Sequence, residues 1–237
     1  MLTHFIGQTE TRSVIVQDTV AAEKNDCHVR SKHMMIHMDE GSGRTTLLHY
    51  MSEVYEEHHV RSFLNLDMFI EEVLPATLKE LNLLEKRIVS KAVFANYFSG
   101  IIALDACGLE KCLNDTEYMG AFRQMVSNLR EHALLVFFLP EKPGARTDRV
   151  EQMLEELCEH YVVNVPACRY SARELEAILD IILRNDGILP GDRRYPENAK
   201  EYIRDHVDEL TPYALKCLVR NIKYDALYMD PKDKIVL

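Results

Sequence analysis

The stretch His33–Thr46, HMMIHMDEGSGRTT, joins a short apolar run to a loop that carries Gly41 and Gly43. The apolar run predicts a buried strand. Behind the loop, Leu47 and Met51 share one face at helical spacing, which predicts a helix. A strand, a glycine-bearing loop and a helix therefore follow one another without interruption, and this succession is the main clue to the fold class.

The same succession is typical of the phosphate-binding loop, or P-loop, whose pattern is G-x-x-x-x-G-K followed by Ser or Thr. Met38 replaces the first glycine of the pattern and Arg44 replaces its lysine. In an intact loop, backbone N–H groups converge on phosphate oxygens, the lysine adds a positive charge and the hydroxyl group ligates magnesium. The loop therefore keeps part of a nucleotide site, and its predicted cofactor-binding residues are Gly41, Ser42, Gly43, Arg44, Thr45 and Thr46.

Three side chains of the loop count against tight binding. Asp39 and Glu40 place carboxylates where the loop would wrap the phosphates, and like charges repel in a partly desolvated site. Arg44 keeps the positive charge and can bind phosphate through two N–H groups, but a guanidinium is wider than an ammonium and does not replace it freely. A second interpretation is that Arg44 pairs with Asp39 or Glu40 and closes the loop.

Composition excludes several classes of protein. With 237 residues, 47% of them hydrophobic, the chain can bury a core in one or two domains. The net charge of -10 comes without a block of Lys or Arg, so no nucleic-acid partner is expected. No apolar stretch reaches the roughly 18 residues that span a bilayer, and the start lacks a signal-peptide layout. We expect a soluble, cytoplasmic protein without membrane contact, whose six cysteines stay reduced.

Alternating apolar runs and helical patterns predict an α/β fold. The runs lie at 33–38, 63–66, 100–104, 133–139 and 161–165. Amphipathic helical patterns lie between them, which is typical of βαβ crossovers and a parallel sheet. We therefore predict a five-stranded parallel sheet with helices on both faces.

Beyond residue 166 the sequence predicts only helices. Ser171 and Glu174 form a capping box before the first of them. The second helix is predicted from about Pro196 to Val207, and the third begins at Thr211-Pro212. The predicted domains are a P-loop α/β core at 1–166 and a small all-helical lid at 167–237.

Four segments of the chain resemble the AAA+ ATPases, and among them the CbxX/CfqX and SpoVK-like type. The segments are LTHFIGQTETRSVI at 2–15, FLNLD at 63–67, FSGIIALDACGL at 98–109 and VNVPACRYSARELEAIL at 163–179. The resemblance covers almost the full length and implies a P-loop NTPase core with a helical lid. It also implies ATP or ADP with Mg²⁺ as cofactor, and AAA+ domains or further copies of the chain as partners.

Carried over to this chain, the family's functional residues are partly missing. Asp105 matches the Walker B aspartate and, with Thr45, is the predicted magnesium-side residue, but Ala106 stands where the family has a catalytic glutamate. No polar sensor residue occurs in FLPEK at 138–142, and no arginine finger occurs at 154–162. Lys216 is the candidate for the sensor 2 cation. No catalytic residue is therefore predicted.

Simpler structural roles compete with two of these assignments. Asp105 can cap a turn after its strand instead of facing magnesium. His33 and His37 share a strand face, where packing accounts for them better than a zinc site does.

The losses favour a degenerate AAA+ domain that binds nucleotide weakly, hydrolyses little, and acts as a regulatory or scaffold module in an AAA+ assembly. The alternative is an active ATPase of the remodelling or chaperone type, completed by neighbouring subunits. A small-molecule kinase also has a P-loop and a lid, but the sequence offers neither a matching arginine set nor an acceptor-site base.

Overall fold

A computed structural model of the chain describes residues 9–24, 32–57, 59–63, 99–141, 147–165, 169–192 and 194–225. The strands within these ranges are β1 (His33–His37), β2 (Val60–Phe63), β3 (Gly100–Asp105), β4 (Ala133–Leu139) and β5 (Val162–Val165). The helices are α1 (Thr9–Lys24), α2 (Arg44–Val54), α3 (Leu109–Cys112), α4 (Thr116–Leu129), α5 (Thr147–Leu157), α6 (Ala172–Asn185), α7 (Ala199–Asp205) and α8 (Pro212–Asp225).

The five strands form one parallel sheet in the order β2-β3-β4-β1-β5. Strand β1 lies between β4 and β5, so its neighbours are two strands that come much later in the chain. The connections from β1 therefore change direction at this strand, and its carboxyl end, which Met38 and Asp39 follow, lies at the switch point of the sheet. Ligands of open α/β sheets bind at such points. The predicted fold class is confirmed.

The inner strands are buried on both faces, as their apolar sequences predict. All five residues of β1 and the first five of β3 are buried, although successive side chains point to opposite faces. A main apolar cluster packs the sheet against α4 and α5 through side chains such as Phe122, Leu135 and Leu154. Helices must therefore cover the sheet, because strands buried on both faces cannot be in contact with water.

Strand β2 begins earlier than the sequence predicts. The apolar run at 63–66 places the strand there, whereas the observed strand is Val60–Phe63, and residues 64–66 lie outside the described part of the chain. Arg61 and Ser62 occupy the middle of β2, which lies at the end of the strand order. Among the described residues β2 pairs only with β3, and a strand paired on one side tolerates polar residues, so hydrophobicity alone does not find its start. Most of the segment 68–99, for which one or two helices are predicted, also lies outside the described residues.

The lid helices begin where the sequence places their caps. Ser171 and Glu174 make the predicted reciprocal capping box at the start of α6. Helix α8 begins at Pro212, and the Thr211 hydroxyl group accepts a hydrogen bond from the Ala214 N–H at 3.1 Å. The prediction for α7 is too long, since turns occupy both ends of the predicted range 196–207. The three lid helices share a separate apolar cluster, which includes Leu175, Leu183, Ile203, Leu215 and Val219.

The described residues form two compact units. Those within 10–39 and 48–165 form the first unit, and Thr9 with those within 40–47 and 169–225 form the second. The loop 40–47, which the sequence assigns to the core, is therefore grouped with lid residues. The division of the chain into domains at 1–166 and 167–237 stays a prediction. Among the helices that the structure describes, none is long and apolar enough to cross a membrane.

Candidate functional site

The carboxyl end of β1 is fixed by hydrogen bonds to the end of β4. The Met38 N–H donates to the Leu139 carbonyl O at 2.9 Å. The Glu141 N–H then donates to Asp39 Oδ1 at 3.0 Å. One oxygen of the Asp39 carboxylate therefore accepts a hydrogen bond from the backbone just beyond β4.

Two glycines of the loop have left-handed backbone conformations. Gly41 and Gly43 adopt φ angles of +83° and +96°, in the left-handed region that favours glycine. The Gly43 carbonyl O accepts from the Leu47 N–H at 2.9 Å, so α2 starts directly behind the second glycine. The first N–H groups of a helix have no partner within the helix and form its positive end. Such a loop and helix start suit a phosphate group.

Two lid residues contact the carbonyl groups of this loop. The Tyr213 N–H donates to the Gly41 carbonyl O at 3.1 Å. The Tyr170 hydroxyl group donates to the Ser42 carbonyl O at 2.7 Å, and this bond is buried. A methyl group added at Gly41 would lie 3.0 Å from Tyr213 Cβ, so the close approach of α8 requires glycine at this position.

The predicted binding residues differ in their exposure. Ser42 and Arg44 are 7% and 6% exposed, whereas Thr45 and Thr46 are exposed at the start of α2. Lys216 is exposed on α8, one turn after the residue that contacts Gly41. The structure thus brings the loop residues together, while the roles of all seven residues in binding nucleotide stay predictions.

Sequence reasoning missed Tyr170 and Tyr213. Tyr170 directly precedes the capping box of α6, and Tyr213 follows the proline that begins α8. Both positions belong to recognisable helix starts, but no local pattern indicates that they contact a loop more than 120 residues away. Their contacts depend on tertiary packing.

The end of β3 keeps one group of the expected magnesium site. Asp105 Oδ1 accepts a hydrogen bond from the Cys107 N–H at 3.1 Å, so the aspartate does cap the turn after its strand. The Ala106 N–H donates to the Phe138 carbonyl O at 2.8 Å, and Ala106 is 1% exposed. Its methyl group belongs to the main apolar cluster, together with Leu109. The residue after Asp105 therefore packs in the core, and the magnesium role of Asp105 stays a prediction.

Solved structures of AAA+ ATPases are similar to this chain. The Thermotoga maritima RuvB Holliday junction branch migration motor matches with a TM-score of 0.55 and 14% identity, over 97% of this chain and 66% of that one. The replication initiator DnaA, bound to AMPPCP and single-stranded DNA, matches with a TM-score of 0.56 and 14% identity, over 94% of this chain and 64% of that one. A structure from work on katanin self-assembly matches with a TM-score of 0.61 and 13% identity, over 96% of this chain and 72% of that one. These matches show that the chain shares its fold with these proteins.

Similarity at this level concerns the AAA+ fold alone. No family model and no curated protein sequence matches the chain. The chain spans 66% of the RuvB structure and 64% of the DnaA structure, so the activities of those whole proteins do not follow from the match. The AAA+ expectation is confirmed at the level of fold, whereas the CbxX/CfqX and SpoVK-like type and the degenerate state stay predictions.

Both histidines of β1 have structural partners in the α/β core. His33 Nδ1 accepts from the Leu135 N–H at 3.1 Å. His37 Nδ1 lies 2.9 Å from the Pro140 carbonyl O, and His37 Nε2 lies 3.4 Å from Glu151 Oε1. Among the described residues, no group of three or more His, Cys, Asp or Glu side chains could hold a metal ion.

A cavity of about 540 Å³ lies at the opposite edge of the sheet, at the amino ends of β1, β3 and β4. Arg130 lines it but donates to the Leu157 carbonyl O and to the Glu159 carboxylate. Burial raises the pKa of the Cys158 thiol to about 12, so this lining residue stays protonated and unreactive at neutral pH. Because ligands of open parallel sheets bind at the carboxyl ends, the loop after β1 is the better candidate.

Proposed function

We propose that this AAA+ domain binds ATP or ADP weakly through the loop Gly41–Thr46 and hydrolyses it little or not at all. Binding is supported by the positive φ angles of Gly41 and Gly43 and by the start of α2 immediately behind them. Backbone N–H groups supply most of the contacts that a loop of this kind makes with phosphate. Replacement of the usual first glycine by Met38 and of the usual lysine by Arg44 accounts for the low affinity.

The chain offers a basic side chain for the phosphates of a nucleotide and two oxygen-bearing side chains for its magnesium ion. Arg44 would add positive charge beside the phosphates, and the Thr45 hydroxyl and Asp105 carboxylate would hold the magnesium ion. When bound, the ion supplies charge neutralisation at the phosphate oxygens. Oxygen ligands of this kind are the ones that Mg²⁺ prefers.

The loss of hydrolysis is supported chiefly by the packing of Ala106. In the AAA+ proteins that the chain resembles, the residue at this position is a glutamate that polarises the attacking water. Here it is a methyl group that is 1% exposed in an apolar cluster. Phosphoryl transfer depends on positioning and on charge stabilisation, so a site without this carboxylate should lose orders of magnitude in rate.

A regulatory or scaffold role within an AAA+ assembly follows from weak binding combined with slow hydrolysis. The partners would be AAA+ domains or further copies of this chain. Self-assembly is described for the katanin structure that the fold resembles. The net charge of -10 argues against a nucleic-acid partner, although the similar DnaA structure contains single-stranded DNA.

Thermal unfolding of the full chain with and without Mg-ATP or Mg-ADP tests nucleotide binding. At a nucleotide concentration about five times Kd, mass action stabilises the folded state by about 1 kcal/mol and raises Tm by about 2–4 °C for a chain of this size. We expect this shift in the wild type and its loss in Arg44→Ala. No shift in the wild type at any soluble nucleotide concentration would contradict the proposal.

Steady-state ATP turnover of the same preparation tests the second half of the proposal. We expect no turnover above the level of an Asp105→Asn variant. Turnover by the purified chain that Asp105→Asn abolishes would instead support the active ATPase, with the missing groups supplied by neighbouring copies.

A further inference from the structure

The contacts of Tyr170 and Tyr213 involve two consecutive peptide groups of the loop. The Gly41 carbonyl O accepts from the Tyr213 N–H, and the Ser42 carbonyl O accepts from the Tyr170 hydroxyl group. Ser42 is 7% exposed and Tyr170 is 9% exposed, so water competes poorly with the second bond. A buried carbonyl group held by a short hydrogen bond has a fixed orientation.

The orientation of a carbonyl group also fixes the N–H group of the next residue. The peptide bonds of the described chain are not cis, so C=O and N–H point in opposite directions across each planar unit. The N–H of Ser42 therefore points away from the Tyr213 nitrogen, and the N–H of Gly43 points away from the Tyr170 hydroxyl group. Each of these N–H groups therefore points away from the lid donor that holds the carbonyl group of the same peptide unit.

We propose that Tyr170 and Tyr213 are positioning residues that hold the loop in its phosphate-binding shape before a nucleotide arrives, an inference that rests on the proposed nucleotide binding. Neither residue needs to touch the nucleotide. Each lowers the cost of ordering the loop, because a site that is already arranged loses less conformational freedom on binding. Glycine is the most flexible residue, so a loop with glycines at 41 and 43 gains the most from such contacts.

The two donors lie at the starts of different lid helices, so a change in the lid can change the affinity of the loop. Tyr170 lies one residue before the N-cap of α6, and Tyr213 lies in the first turn of α8. Helices α6 and α8 share the lid's apolar cluster through Leu175, Leu179 and Leu215. A movement of either helix start would therefore change the orientation of a loop peptide group, and a bound phosphate would in turn stabilise the lid.

Substitution of Tyr170 by phenylalanine isolates the buried donor. The change removes one hydroxyl group and keeps the ring, which belongs to the lid cluster. The matched control is Tyr195→Phe, since the Tyr195 hydroxyl group donates to Asp180 Oδ1 at 2.8 Å within the same lid and not to the loop. By isothermal titration calorimetry with Mg-ADP, we expect Tyr170→Phe to raise Kd about fivefold to tenfold, the loss of one hydrogen bond, and Tyr195→Phe to leave it unchanged.

Amide chemical shifts of the ligand-free protein provide a readout that a general loss of stability would not alter. Selective labelling of glycine gives at most nine signals, one of them from Gly43. We expect the Gly43 amide signal to shift or broaden in Tyr170→Phe and to keep its position in Tyr195→Phe. Addition of Mg-ADP should restore a single sharp Gly43 signal in Tyr170→Phe, because bound phosphate orders the loop.

The two proposals fail in different ways. If the wild type does not bind Mg-ADP, the proposed function fails and this inference fails with it. If the wild type binds but Tyr170→Phe has the same Kd and the same Gly43 signal as Tyr195→Phe, the positioning role is overturned and nucleotide binding stands. An equal loss of affinity in both tyrosine variants would also overturn it, since a general weakening of the lid would then be the cause.

Discussion

The loop after β1 and the end of β3 keep different shares of the chemistry expected at an AAA+ site. The loop retains its two positive-φ glycines and the start of α2, although Met38 and Arg44 break its sequence pattern. The end of β3 retains Asp105, but Ala106 is buried in an apolar cluster. Phosphate binding uses backbone N–H groups, which many side-chain patterns can support, whereas hydrolysis needs one carboxylate at one position. Binding can therefore outlast catalysis in such a domain.

The largest effect is expected from Ala106→Glu, which introduces the glutamate that AAA+ ATPases have at the corresponding strand end. A carboxylate inserted into the apolar cluster should lower the free energy of unfolding by about 3 kcal/mol or more without restoring ATP turnover. Urea unfolding and a turnover assay measure the two results. Asn114→Glu, at an exposed position, adds the same charge as a control.

The pH dependence of Ala106→Glu has a defined sign. Burial would raise the pKa of the new carboxyl group above its unfolded value of about 4.3. The folded state would then bind the proton more tightly, so the destabilisation should grow as pH rises through and above that value. A variant that is as stable as the control at neutral pH, and that turns over ATP, would show that the end of β3 opens towards the nucleotide.

The next largest effect is expected from Gly41→Ala in the loop. The substitution forces a side chain into a φ of +83° and places Cβ 3.0 Å from Tyr213 Cβ. Together, strain and crowding should cost about 2–4 kcal/mol, with loss of Mg-ADP binding. Gly191→Ala is the matched control, because Gly191 has a φ of +93° but open space around the added Cβ, which leaves a cost of about 1–2 kcal/mol. Equal unfolding midpoints for the two variants would contradict a tight contact between loop and lid.

The fold was largely predictable because its strongest signals are local. GIIAL at 100–104 and ALLVFFL at 133–139 are continuous apolar runs, and both are interior strands of the observed sheet. The capping box of α6 and the proline start of α8 also lie where the sequence places them. The sequence did not predict the start of β2, because a strand that pairs on one side among the described residues needs few apolar residues.

The candidate site was predictable only in part, since its geometry depends on packing over long range. The sequence shows that Ala106 is not a glutamate, but not that its side chain joins an apolar cluster. It shows the tyrosines at 170 and 213, but not that they bind loop carbonyl groups. The direction in which a side chain points at the end of a strand depends on neighbours that no local pattern contains.

A smaller effect, confined to binding, is expected from Thr45→Ala. Thr45 is exposed, so its loss should change stability by less than about 0.5 kcal/mol. If its hydroxyl group ligates magnesium, Kd for ADP should rise about tenfold in the presence of Mg²⁺ and stay unchanged in EDTA. Thr116→Ala, also exposed and at the start of α4, is the control. An equal change in EDTA would assign the hydroxyl group to phosphate instead of magnesium.

The smallest effect is expected from Lys216→Ala, which tests whether α8 contributes a cation as well as a backbone contact. Lys216 follows Tyr213 by one helical turn, so the two side chains project from neighbouring positions on the same side of α8. An exposed charge interacts with phosphate by about 1 kcal/mol at most, so Kd for Mg-ADP should rise no more than about fivefold. The effect should shrink at high ionic strength because salt screens exposed charges.

The control is Lys200→Ala, which removes the same charge from an exposed position on α7 of the lid. If both lysine variants change Kd equally, the lid acts on the nucleotide through its general charge, and the specific contribution of α8 reduces to its contact with Gly41.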